Sequence, residues 1–226
     1  MKNGLSKEVL NAQYSHWEQS LANHPEMFGK EPSEPAKKAA ELFKREGKIN
    51  ILELGGGQGR DTLFFARNGF RVAVLDYSEE GIRTITEKAQ AAGLSPFITG
   101  AKHDVRTTLP FADDTFDACY SHMLFCMAFT TVELEFLAGE IRRVLKPGGI
   151  NIYTVRHTGD PHYGAGIHRG EDMYEVNGFI VHFFSREKVD QLSKGYEILG
   201  VDEFEEGSLP RKLFSVILRK NVGKSL

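Results

Sequence analysis

The run Glu53-Leu54-Gly55-Gly56-Gly57-Gln58-Gly59 carries the clearest chemical signal in the chain. Glycines at this spacing let the backbone turn tightly and come close to a ligand. The run also lies between a strand and a helix, at the edge where open α/β sheets bind their ligands. It is either such a cradle or a plain tight turn. Rival glycine motifs fail at single residues: a dinucleotide fingerprint started at Gly55 needs glycine where Arg60 stands. A phosphate loop needs Gly-Lys-Ser/Thr where the chain reads Arg60-Asp61-Thr62. Two more carboxylates follow at strand ends. Asp76 either accepts hydrogen bonds from the ribose hydroxyls of an adenosine-type ligand or caps the next helix. Asp104 either accepts from an adenine amino group or serves a turn.

The elements that must position these groups alternate. Strands are expected at Ile49 to Leu54, Phe70 to Asp76, Phe97 to Asp104, Phe116 to Ser121 and Ile150 to Val155. Helices are expected over Gln58 to Asn68, Ser78 to Ala92 and Thr131 to Leu145, the last with Leu134, Leu137, Ile141 and Val144 along one side. Such alternation predicts a doubly wound α/β fold, with a mostly parallel seven-stranded sheet and helices on both faces. After a last helix over Ser185 to Ser193, the runs Tyr196 to Phe204 and Arg211 to Arg219 are joined by a turn too short for a parallel crossover, so they predict a C-terminal antiparallel hairpin. Ahead of the alternation, Leu5 to Leu21 and Pro35 to Arg45 predict an N-terminal helical cap.

Composition narrows the function. At 226 residues, with 41% hydrophobic and 26% charged residues, the chain is expected to be one globular domain over 1–226. Within it we expect a helical cap over 1–47, a cofactor-binding core over 48–155, a lid insertion over 156–180, and the last helix with the terminal hairpin over 181–226. A net charge of −3 supplies no footprint for a polyanion, so no nucleic-acid partner is expected. The absence of an apolar leader or long apolar run predicts no membrane association and a cytoplasmic location. Cys119 and Cys126 are too few for a disulfide framework; Cys119 reads as core, and Cys126 is left open. The irregular spacing of His157, His162 and His168 predicts no metal site.

Together, the glycine run, Asp76, Asp104 and the turn Leu145-Lys146-Pro147-Gly148-Gly149 resemble the class I, Rossmann-like S-adenosylmethionine-dependent methyltransferases. The resemblance covers Ile49 to Val155. Gly57-Gln58-Gly59-Arg60-Asp61, Phe64-Phe65-Ala66 and Phe183-Phe184-Ser185 are further similar to the tellurite-resistance and thiopurine-type members. The resemblance implies S-adenosylmethionine as cofactor. Gly55, Gly57 and Gly59 would approach its methionine part, and Glu53 would position its amino group. Asp76 would hold the ribose with Tyr77 beside the adenine. Asp104 and the backbone of Val105 would read the adenine edge, and Ser121 and His122 would lie near the sulfonium. Ser121-His122-Met123-Leu124 departs from the Asp/Asn-Pro-Pro-Tyr/Phe run typical of enzymes that methylate base amines.

Methyl transfer needs the acceptor held in line and water excluded, and a base only for acceptors that keep their proton. The expected acceptor is a small molecule bearing a thiol, a metalloid oxyanion, a hydroxyl or an amine. A sensor that binds the cofactor without transfer is the alternative. The acceptor is expected under a lid made from the N-terminal helix, with Tyr14 and Trp17 on one face, and the glycine-rich 156–179 insertion. That lid would bring His122, Tyr14 and Arg156 to the reacting centre, with Arg156 suited to an anionic acceptor.

Overall fold

The computed structural model describes residues 7–207 and 211–222. Leu5 and Ser6 of the expected first helix lie outside them. Helix α1 runs Lys7–Asn23 and α2 Glu34–Arg45. The Ser33 hydroxyl caps α2 by accepting from the Ala36 amide, with proline in the first turn where its missing N–H costs nothing. The alternation follows as β1 (Asn50–Leu54), α3 (Arg60–Arg67), β2 (Arg71–Asp76), α4 (Glu79–Ala91), β3 (Ile98–Lys102), β4 (Phe116–His122), α5 (Thr131–Val144) and β5 (Leu145–Arg156). A capping box between Thr130 and Glu133 starts α5.

Seven strands form one sheet in the order β3-β2-β1-β4-β5-β10-β9, where β9 is Tyr196–Glu206 and β10 is Arg211–Lys220. Strands β1 to β5 pair in parallel, while β10 runs antiparallel to both β5 and β9, as the short final connection requires. The order reverses between β1 and β4, which makes the carboxyl ends there the expected ligand crevice. Side-chain alternation sorts the sheet's two faces. Ile51, Val72, Val74, Ala118 and Ile152 pack with Phe43 of α2, Phe65 of α3 and Ile85 of α4. Leu52, Leu54, Leu75, Cys119 and Tyr153 pack with Leu134, Leu137 and Ile141 of α5 and with Val189 and Leu192 of α6 (Arg186–Leu192).

Two expectations are corrected here. The Lys146-Pro147-Gly148-Gly149 turn does not stand outside the strand. The chain is already extended from Leu145, which pairs with Phe116, and the register shifts before Ala118 pairs with Ile150. The insertion is not a glycine-rich loop either. It folds as a separate antiparallel sheet of β6 (Ile167–Gly170), β7 (Met173–Val176) and β8 (Phe179–His182). Its Met173 and Ile180 pack on Leu10 of α1. Its glycines serve turns, as at Gly166, where an added Cβ would meet the Glu175 carbonyl at 2.1 Å. Among the described residues, no helix is long and apolar enough to cross a membrane.

Candidate active site

The glycine run divides into two structural jobs. Gly55 and Gly57 have φ of 75° and 54°, and both line a pocket at the carboxyl edge of the sheet. A Cβ on Gly57 would point across the pocket at the Phe28 ring, 3.5 Å away, and one on Gly55 would meet Leu124 at 3.2 Å. Gly56 and Gly59 instead permit close packing. A Cβ on Gly56 would stand 2.4 Å from Val74 Cγ2, and one on Gly59 would stand 2.8 Å from Ile85. Gly59, expected at the ligand, is therefore the left-handed start of α3 packed on α4.

Three buried carboxylates, Glu53, Asp61 and Asp76, line the pocket beside the loop. Asp76 accepts from the Gly57 amide through Oδ2 and from the Ser78 amide through Oδ1, both at 2.8 Å. It thus closes the turn and still faces the pocket, and burial pushes its pKa up to about 6. Asp61 accepts from the Ser33 amide, the Ser33 hydroxyl and the Tyr120 hydroxyl, which ties α2 and β4 to the site. Glu53 is different. Its Oε2 is buried without a well-formed hydrogen bond among the described residues; the Thr62 hydroxyl lies near it and is itself unpaired. Burial, reinforced by the neighbouring Asp61 charge, pushes Glu53 up to about 8. A carboxylate wall of this kind suits a cationic ligand group and opposes a pyrophosphate.

At the far end, Tyr77, Asp104 and Val105 line the same pocket with His103 and Arg106. Burial alone would raise the Asp104 pKa, but the Arg106 guanidinium, donating to both carboxylate oxygens, holds it below the usual range. Tyr14 does not line the pocket. Its ring stands edge-on to Tyr77 at 5.4 Å, with the Lys102 ammonium over it, so it supports Tyr77 from outside.

His122 ends β4 and lines the pocket. Its Nδ1 is 2.9 Å from the Thr154 hydroxyl, and its Nε2 is 3.0 Å from Glu206 Oε2 on the terminal hairpin. Burial works against ionisation of Glu206, yet His122, Arg60 and Arg211 together hold its pKa low. Ser121 is fully buried behind His122 and does not reach the pocket lining. Arg156 is also displaced from its expected place. Its Nε donates to buried Asp160 at 3.0 Å, its second nitrogen to the other carboxylate oxygen, and its plane lies over Phe183. Asp160 in turn accepts from the Lys212 amide, so the pair fastens the base of the insertion to β10. The insertion's histidines diverge as well: His157 stacks on Phe214, His162 meets Arg156, and His168 bonds the Glu171 carbonyl.

Sequence reasoning placed the N-terminal helix and Trp17 over the site but missed the part of the roof supplied by the 123–129 segment. Leu10, Gln13, Trp17 and Leu21 of α1, Phe28 and Gly29 after it, and Met123, Leu124, Met127 and Phe129 cover the pocket, which encloses about 1290 Å³ including space open to solvent. The insertion holds this roof from behind. Gln13 donates to the Gly178 carbonyl and accepts from the Ile180 amide, Phe179 packs on Trp17, and His182 binds the Phe129 and Cys126 carbonyls. Cys126 is buried, its thiol donating to the Met123 carbonyl, and burial pushes its pKa up to about 11. Met123, with φ of 57°, was a legible oddity only once the backbone was seen.

Residues 51–149 match the family described as "Methyltransferase domain". Over that stretch the chain is similar to methyltransferase domains, and its fold is that of the class I, S-adenosylmethionine-dependent methyltransferases. It is 29% identical over 164 residues to the methyltransferase phqN of Penicillium fellutanum, covering 70% of this chain and 49% of that one. It is 35% identical over 116 residues to a fatty-acid O-methyltransferase of Mycolicibacterium smegmatis, covering 48% and 37% respectively. The chain thus spans about half or less of the length of these curated relatives. The fold is shared with the 1,6-didemethyltoxoflavin-N1-methyltransferase of Burkholderia thailandensis, solved with bound 1,6-didemethyltoxoflavin and S-adenosylhomocysteine. The TM-score is 0.72 at 15% identity, over 95% of this chain and 88% of that one. The site fits the family's cofactor on its own residues. The Glu53 oxygen that lacks a well-formed hydrogen bond and the acidic wall await a cation, and Gly57 leaves the wall open toward Phe28.

Proposed function

We propose that this methyltransferase domain transfers a methyl group from S-adenosylmethionine to a small-molecule acceptor received beneath α1. The observation that carries the reading is Glu53, a buried carboxylate with an oxygen left without a well-formed hydrogen bond beside an open glycine turn. Glu53 would hold the ammonium of the cofactor's methionine part, with Gly55 and Gly57 admitting the chain. Asp76 would accept from the ribose, its carboxylate oxygens each keeping a lone pair beyond the amide bonds they already accept. Tyr77, Val105 and Asp104 would bound the adenine. The cofactor supplies a methyl group activated by a sulfonium; the chain's own part is to orient the acceptor and exclude water.

His122 faces the pocket where the acceptor would meet the methyl group. Its ring is held through Nδ1 by the Thr154 hydroxyl, and an imidazolium formed there would have the Glu206 carboxylate 3.0 Å from Nε2. Calorimetry with S-adenosylmethionine and with NAD tests the binding half of the reading. Turnover to S-adenosylhomocysteine on a panel of thiols, phenols and amines, read by product mass, tests the chemical half. Tight NAD binding without cofactor binding would overturn it. A sensor that binds the cofactor without transfer is the second reading. It draws support from the His122 ring being held by Thr154 through Nδ1, with Glu206 at 3.0 Å from Nε2, and binding without turnover on the whole panel would favour it.

A further inference from the structure

The charges around the roofed pocket define what kind of acceptor it can take, given the methyl-transfer reading above. Glu53, Asp61, Asp76 and Asp104 line it, and Glu206 adjoins it at His122. Arg60 and Arg106 are the Arg or Lys side chains in the lining, and both are committed elsewhere. Arg106 donates to both Asp104 oxygens and to Asn11. Arg60 donates to the Phe28 carbonyl at 2.9 Å and stands 3.4 Å from Asp61 and 3.9 Å from Glu206. Arg156, which would have suited an anion, is locked on Asp160 outside the pocket. With Glu53, Asp76 and Asp104 engaged by the cofactor, an anionic acceptor would still enter beside Asp61 and Glu206 and find each lining guanidinium already paired. Like charges set against a ligand are a direct means of refusing it.

Apart from Gln13, Gln58, His103, His122 and Tyr77, the other side chains of the lining are apolar, and part of that surface is held rigidly. Trp17 is tilted against Phe28 at 6.4 Å and against Phe179 at 4.7 Å, so β8 holds it in place at the pocket. Phe28 and Leu124 stand directly opposite the glycine turn. Aromatic faces fixed in this way favour a flat, ring-sized body.

We infer that the acceptor has an apolar ring-sized body and carries no negative charge, its nucleophile being a neutral or amine-type group, and that carboxylate and oxyanion acceptors are refused. This replaces the metalloid oxyanion and the Arg156-bound anion among the expectations from sequence.

The test uses the full chain saturated with S-adenosylhomocysteine and three probes that share one ring system: tryptamine, 5-hydroxyindole and indole-3-acetate. Calorimetry should show the amine and the phenol binding, and the carboxylate binding at least tenfold more weakly. Equal or tighter binding of indole-3-acetate overturns the inference, and so does the failure of all three at millimolar concentration. In Glu206→Gln the gap between tryptamine and indole-3-acetate should narrow several-fold. An unchanged gap, in a variant whose S-adenosylhomocysteine affinity shows it to be folded, overturns charge as the cause. The two readings fail separately. Absence of S-adenosylhomocysteine binding defeats methyl transfer before any probe is added, whereas normal binding with a reversed probe order defeats only the acceptor class.

Discussion

The floor and the roof of the pocket are built by different means. The floor comes from strand ends and the turns that follow them: Glu53 to Asp61, Asp76 and Tyr77, Asp104 and Val105. Each is placed by its own strand, and adjacent strands are locked by parallel ladders. The roof comes from α1, the stretch after it and the 123–129 segment, and its attachments are side chains reaching across long sequence distances. Gln58 and Arg60 hold the stretch around Leu21 to Phe28, Gln13 joins α1 to β8, and His182 holds Phe129. In the proposed reading a site made this way separates its tasks: the cofactor would meet the floor held by the strand ladders, and the acceptor a surface held by a few long-range contacts.

The comparison predicts that roof support and cofactor affinity break independently. The largest effect is expected for Arg156→Ala, which strands the buried Asp160 carboxylate. The loss should be about 3–5 kcal/mol of stability, as for removing one partner of a buried ion pair. Denaturant melts should show it, while the cofactor affinity of the folded fraction stays near normal. A fall in affinity as large as the fall in stability would join floor and roof into one unit.

Gly57→Val should do the reverse. The φ of 54° and the facing Phe28 ring leave a β-branched residue neither conformation nor space once a ligand is present. Cofactor affinity should fall by about a hundredfold or more, roughly 2.8 kcal/mol at 1.4 kcal/mol per tenfold, with a smaller change in melting. Asp76→Ala comes next. Losing a carboxylate that both accepts from the Gly57 amide and faces the ribose position should cost about 1.5–3 kcal/mol of affinity, measured by calorimetry. Collapse of stability with unchanged affinity would show that Asp76 only caps the turn.

The smallest effect sharpens the electrostatics of the floor. Burial raises the pKa of Glu53 from its ordinary 4.5 to about 8 in the free protein. The stability that goes with its neutral form is therefore complete below 4.5 and is lost as pH rises through about 8. An ammonium group favours the carboxylate, so cofactor binding at pH 7 should release a proton. Affinity should rise with pH, by up to about tenfold per unit, until it levels near 8. Calorimetry in buffers of different ionisation heat measures that proton directly, and Glu53→Gln should abolish its release.

The floor was legible because its determinants are local. Alternating apolar runs, a glycine turn and carboxylates at strand ends are each readable within a dozen residues, and the hairpin followed from a connection too short to cross over. Gly59 was misread because spacing alone does not tell a glycine that faces a ligand from one that faces Ile85. Arg156 was misread because its partner, Asp160, is defined by a fold-dependent turn. The insertion's glycines suggested a loop, yet they sit at the turns and bulges of a small sheet whose short strands give little periodic signal. Glu206 could not have been found, since nothing in an acidic edge strand marks the one residue that reaches His122.

Gln58 sits between Gly57 and Gly59, yet its amide donates to the Leu21 and His24 carbonyls at 3.0 Å and accepts from the Met27 amide at 2.9 Å. The residue at the centre of the cradle is thus also the catch on the cover. Lifting the cover forfeits three hydrogen bonds, each worth about 0.5–1.5 kcal/mol net. Entry and departure are therefore coupled to the state of the cradle itself. A ligand that left by way of α1 would first have to break these bonds, so this one side chain would set part of the barrier to its departure.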